Sequence, residues 1–155
     1  MATDDLNRLV SWADGLLASM TPAARRQLMG EMARSLRASQ SQRIRANLQP
    51  DGSPMTPRKP LKKLAKKRGV TRRKMFQHLV SPRWLKATST EHQAVVEFVG
   101  SANRLATIHQ YGLKDRIKGR EICYPARELL GLETKELEKM EEILLRFMLP
   151  SFHSS

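Results

Sequence analysis

Between Arg43 and Lys74 the chain carries twelve basic residues and one acid, Asp51. Twelve cations less one carboxylate give +11 of the formal net charge of +13, so the rest of the chain is close to neutral. A stretch this charged holds too little apolar matter to offset the entropy of ordering itself. A block of this kind binds something acidic: nucleic acid, a membrane surface or an acidic face of another protein. At 155 residues, 40% of them hydrophobic and 5% aromatic, the chain can build one modest core, fed by Leu, Met, Ala, Ile and Val. With a charged arm to carry, it would gain from oligomerisation.

Several classes are disfavoured. The longest apolar run is far short of the roughly 20 residues that span a bilayer. Met1-Ala2-Thr3-Asp4-Asp5 is acidic where a signal peptide is basic, so secretion is not expected. A single cysteine, Cys123, and four scattered histidines leave no disulfide framework and no expected zinc site. No Gly-rich phosphate loop, metal-binding His-Glu helix or nucleophile elbow occurs. Cys123 with His109 is the one imaginable thiol–imidazole pair, but a lone cysteine in an expected strand reads as a small core residue. No enzyme activity, cofactor or small-molecule substrate is expected.

Apolar periodicity predicts the organisation. Leu6, Leu9, Val10, Ala13, Leu16 and Leu17 lie at helical spacing, with Thr3 as an N-cap. Thr21-Pro22 starts a second helix, to about residue 47, striped by Leu28, Met32 and Leu36. Together they form a helical hairpin over 1–48. The basic arm, 49–82, opens with turn chemistry at Gln49-Pro50-Asp51-Gly52-Ser53-Pro54 and continues extended through Pro57 and Pro60. The remaining part, 83–155, holds a β-hairpin (Trp84–Thr88 with Ala94–Val99) and a short helix from Asn103 ended by Gly112. A strand from Ile117 to Tyr124 follows, then a closing helix over Thr134–Leu149, capped by Thr134. The fold class is α+β: N-terminal helical hairpin, basic extended arm, and a small antiparallel sheet packed by a C-terminal helix.

Three strings carry more information than the composition. They are Pro50-Asp51-Gly52-Ser53-Pro54 with Pro57, Ile108-His109-Gln110-Tyr111-Gly112, and Pro125-Ala126-Arg127-Glu128-Leu129-Leu130-Gly131-Leu132. In order and spacing they resemble the tailed-phage virion morphogenesis family, tail completion proteins of the protein S type, from about residue 5 to 149. Met55 stands where that family often has tryptophan, Arg58-Lys59-Pro60 replaces its usual Pro-Leu, and Glu128-Leu129 replaces Pro-Phe.

The resemblance implies a structural virion component that completes the tail and forms part of the head–tail junction. It implies a ring-shaped homo-oligomer, commonly a hexamer, that contacts neighbouring tail and neck proteins after assembly in the host cytoplasm. The assembly or structural residues it points to are Asp51, Gly52, Pro54, Pro57, His109, Gln110, Gly112, Pro125, Arg127 and Gly131, with Lys62, Lys63, Lys66, Lys67 and Arg68 of the arm. By their own chemistry, His109 and Gln110 suit backbone hydrogen bonds at a helix end, and Arg127 suits a clamp on carbonyls or a carboxylate, within a subunit or across a boundary. Gly131 suits close approach or positive φ.

The alternative class is a small nucleic-acid-binding protein acting through residues 43–74. That block offers Phe76 alone at its edge for stacking, and no helix-turn-helix or finger frame, so contact with DNA would be nonspecific and salt-dependent. No membrane partner is expected.

Overall fold

A computed structural model describes residues 2–60, 63, 69 and 74–149. Among them the elements run α1 (Ala2–Leu17), α2 (Pro22–Arg45), β1 (Leu85–Ser89), β2 (Ala94–Phe98), α3 (Ser101–Tyr111), β3 (Lys114–Ile117), β4 (Arg120–Cys123) and α4 (Thr134–Met148). The class is α+β. The chain divides into two compact units: Met1–Ser39, Lys86–Glu97 and Leu132–Ser155 form one, Gln40–Leu85 and Phe98–Gly131 the other.

The first unit is held by helix packing. Leu137, Met140, Ile143 and Leu144 recur on one face of α4, and all four are buried. Met140, Ile143 and Leu144 cluster with Leu28 of α2, flanked by Leu9, Ala13 and Leu17 of α1 and by Met32 and Leu36. A fully buried leucine contributes about 1.5–3 kcal/mol, so Leu28 and Leu144 anchor the unit. Thr21 caps α2, its Oγ1 accepting the Ala24 N–H at 3.2 Å, with Pro22 at the first helical position.

Two caps differ from the sequence expectation. α1 begins at Ala2, so Thr3 lies inside the helix. Glu133, not Thr134, caps α4: its side chain accepts from the backbone N–H at Glu136, whose Oε2 accepts the Glu133 N–H at 3.0 Å. This reciprocal pair satisfies two orphan donors at once, which a threonine hydroxyl at 134 would not. Glu136 is buried and also accepts the Ser39 hydroxyl at 2.6 Å.

The second unit gathers loops around Ile44, Val80, Leu85 and Leu129, all fully buried. Met55, Met75 and Leu79 are buried with them, so both described flanks of the basic segment are part of the core. Gly112 ends α3 in the left-handed conformation, φ 63° and ψ 49°. A second correction concerns Ile117 to Tyr124. This stretch is not one strand: Lys118 and Gly119 take positive φ of 49° and 75°, turning the chain between β3 and β4. These pair antiparallel, Lys114 opposite Cys123 and Ile117 opposite Arg120. Positive φ at both central residues is what a two-residue hairpin turn matching strand twist requires. Cys123 is exposed, so its reading as a core residue is overturned by the hairpin, which places it on a solvent-facing strand.

Candidate functional site

The three sequence strings, the third as far as Gly131, meet in the second unit, joined by hydrogen bonds from side chains to backbone. The turn at 49–54 closes first. The Gln49 N–H donates to Ser53 O at 2.8 Å, Gly52 takes φ 85°, and Asp51 Oδ1 accepts the Ser53 N–H at 2.9 Å. Hydrogen bonds from the Ser53 hydroxyl and N–H hold the Asp51 carboxyl below its usual pKa. An isolated bridge between Leu48 and Pro54 pins the base of this turn. Met55 then plugs the core at 3% exposure.

Arg127 is the clamp. Its Nε donates to Thr56 O at 2.6 Å and its Nη2 to Pro57 O at 3.1 Å, while its own N–H donates to His109 O at 2.7 Å. The guanidinium thus ties the second string and the third to the chain just beyond the turn. Nη1 lies 3.4 Å from His109 Nδ1. Guanidinium can only donate, so Nδ1 accepts and the neutral ring carries its proton on Nε2. The ring sits edge-on to Phe76 and Tyr124, with centroids 4.9 Å from each. Burial first, then the charges of Arg127 and Arg58, lower the pKa of His109. An imidazole so held is a structural acceptor rather than a base for Cys123.

Gln110 does for the third string what a strand partner would. Its Oε1 accepts the N–H groups of Leu129 and Leu130 at 2.8 and 3.0 Å, and its Nε2 donates to Leu130 O at 3.0 Å. Two glycines permit the close approach. A Cβ at Gly112 would stand 2.8 Å from the Ala126 nitrogen, and one at Gly131 2.5 Å from Pro50 Cγ.

Three further residues complete the lattice. Gln40 donates to Gly131 O at 2.5 Å and accepts its N–H at 3.2 Å. Arg43 donates to Leu48 O and Leu129 O at 3.2 and 2.8 Å, and to the Gln40 side chain. Gln49 Oε1 accepts the Glu128 N–H at 3.1 Å. In sequence Arg43 is indistinguishable from the charge block that follows it. The only signal was its helical spacing with Gln40, three residues apart and next to the apolar Ile44.

Asp51, Gly52, Pro54, Pro57, His109, Gln110, Gly112, Pro125, Arg127 and Gly131 therefore all lie in this one unit. Lys63 is exposed, and Lys62, Lys66, Lys67 and Arg68 lie outside the described residues. Arg58, Phe76 and His109 line two cavities, of about 530 and about 800 Å³. Their other described cations are Lys59 and Arg127 in the first and Lys74 in the second, and no carboxylate lines either among the described residues. This lining suits acidic groups of a partner. Among the described residues no group of three His, Cys, Asp or Glu could hold a metal ion, and no helix is long and apolar enough to cross a membrane.

Comparison with known proteins adds one family and one relative. Residues 4–148 match the phage virion morphogenesis family. The chain is 39% identical over 145 residues to tail completion protein S of Escherichia phage P2, covering 92% of this chain and 96% of that protein. No solved structure matches.

Proposed function

The chain belongs to the phage virion morphogenesis family, and we propose that it is a structural protein that completes the phage tail and acts at the head–tail junction as a ring-shaped homo-oligomer, commonly a hexamer. The observation that carries this reading is the family match itself, which runs through both compact units. The geometry supports it. The family-like strings are spent on fixing backbone to backbone, as a scaffold requires, and His109, the candidate base, is occupied by Arg127. No chemistry is asked of the protein, and no cofactor.

In this reading the protein assembles in the host cytoplasm and ends in the virion, at the tail or neck. Its cationic surfaces meet acidic faces of neighbouring tail proteins, which gives register and fast association more than raw affinity. Native mass spectrometry of the purified protein tests the ring. A single closed assembly supports it, and a monomer at all accessible concentrations contradicts it.

A second reading, nonspecific DNA contact through residues 43–74, is favoured by the charge of that block alone. It requires duplex affinity that falls steeply with salt, with a slope reflecting several neutralised phosphates. Binding that is weak at physiological salt retires it.

A further inference from the structure

The first unit carries a surface that the Arg127 clamp does not use. Between α1 and α4 lies a groove of about 460 Å³. Leu9, Trp12 and Leu137 form its apolar wall, while Asp5, Glu138 and Glu141 stand on its rim with Arg8. α1 spends Leu9, Ala13 and Leu17 on the core, yet Trp12 remains 38% exposed. Three carboxylates against one guanidinium make this groove locally −2 on a chain of net charge +13. Among the described residues no ion pair engages Asp5, Glu138 or Glu141.

We propose that this groove receives the basic segment 61–73 of a second copy of the chain. That segment has seven Lys and Arg residues and no acid, interrupted by Leu61, Leu64 and Val70. It matches the groove in both respects. Lysine and arginine stems lie along apolar wall while their heads reach the rim carboxylates, and the exposed indole of Trp12 takes a cation on its face. The described flanks of the segment are fixed in the other unit, Pro57 by Arg127 and Met75 by the Asn47 amide at 3.1 Å. Groove and segment are different surfaces, so a copy that gives its segment to one neighbour and receives that of another extends the contact from copy to copy, as a closed ring requires. The inference rests on the oligomeric reading above and supplies the surface for it.

Charge swapping tests it. Glu138→Lys/Glu141→Lys reverses the groove, and Lys62→Glu/Lys63→Glu/Lys66→Glu/Lys67→Glu takes residues 62–67, the centre of the segment, from +4 to −4. Circular dichroism confirms that both variants keep the fold. By sedimentation equilibrium each alone should lose self-association by about tenfold or more. An equimolar mixture should recover it, because each reversed surface then faces its complement. Trp12→Ala should weaken association at high salt as well as low. An assembly indifferent to the groove reversal overturns this contact while leaving the ring standing. Failure of the mixture to recover overturns it too. A monomeric wild type overturns ring and contact together.

Discussion

Arg127 donates its Nε–H to the carbonyl of Thr56 at 2.6 Å, joining positions 71 residues apart in sequence. With Nη2 on Pro57 O, one planar fork holds the chain entering the basic segment against the end of α3. Both carbonyls are held by Arg127, a residue that is 5% exposed. Removing its guanidinium leaves both acceptors without a protein partner in a part-buried site.

Arg127→Ala should therefore destabilise the protein by about 1–3 kcal/mol. Arg127→Lys should recover less than half of that loss, because an ammonium cannot make the two divergent bonds of the fork. The exposed Arg26→Ala is the control and should stay within about 0.5 kcal/mol of wild type. Urea unfolding of the three variants measures the order.

Glycine substitutions should rank by space as well as by φ. Gly52→Ala meets only the strain of φ 85°, with no atom within 4 Å of the new Cβ, and should cost about 1–2 kcal/mol. Gly112→Ala carries φ 63° and a contact of 2.8 Å with backbone that cannot rotate away, so its cost should exceed that of Gly52→Ala. Thermal melting of the two variants reads the difference directly.

Acid should weaken the second unit through His109. Its folded-state pKa lies below the ordinary value of 6.5, so the unfolded chain binds the proton first. The stabilising contribution is full above pH 6.5 and is lost as pH falls below it, toward the lowered folded value. His109→Gln removes the titration, and its stability should vary less between about pH 7.5 and pH 5 than that of wild type. Denaturant midpoints across this range, measured for both proteins, make the test.

The basic segment and its flanks should separate on deletion. Removing 50–80 takes Met55, Met75, Leu79 and Val80 out of the core and should unfold the second unit. Replacing 61–73 with a Gly/Ser linker of equal length leaves those four residues in place. That variant should keep a folded second unit and lose self-association. Both outcomes are read from one thermal melt and one sedimentation run.

The helices were legible because their signals are local. Pro22 behind Thr21, the stripe of α4 and Gly112 beyond α3 each act within a turn or two of chain. The β3–β4 hairpin was not, since Lys118 at φ 49° is an uncommon conformation for a lysine and only Gly119 hints at the turn. Once that turn is missed, Cys123 is assigned to the core instead of to solvent. The lattice of Gln40, Arg43 and Gln49 escaped for a different reason. Such polar side chains have no periodic signature, and their partners lie up to 91 residues away in the chain. The flanks at Met55 and Met75 looked like arm because prolines and lysines surround them, although each supplies one apolar side chain to a core it meets only in three dimensions.

The central claim is that this chain completes the tail as a structural part of the virion. Electron microscopy of lysates from a phage whose copy of this gene is inactivated tests it most directly. Tails left unfinished and unattached beside filled heads, converted to joined particles when the purified protein is added, are the predicted result. Joined virions at the wild-type number without the protein would contradict it.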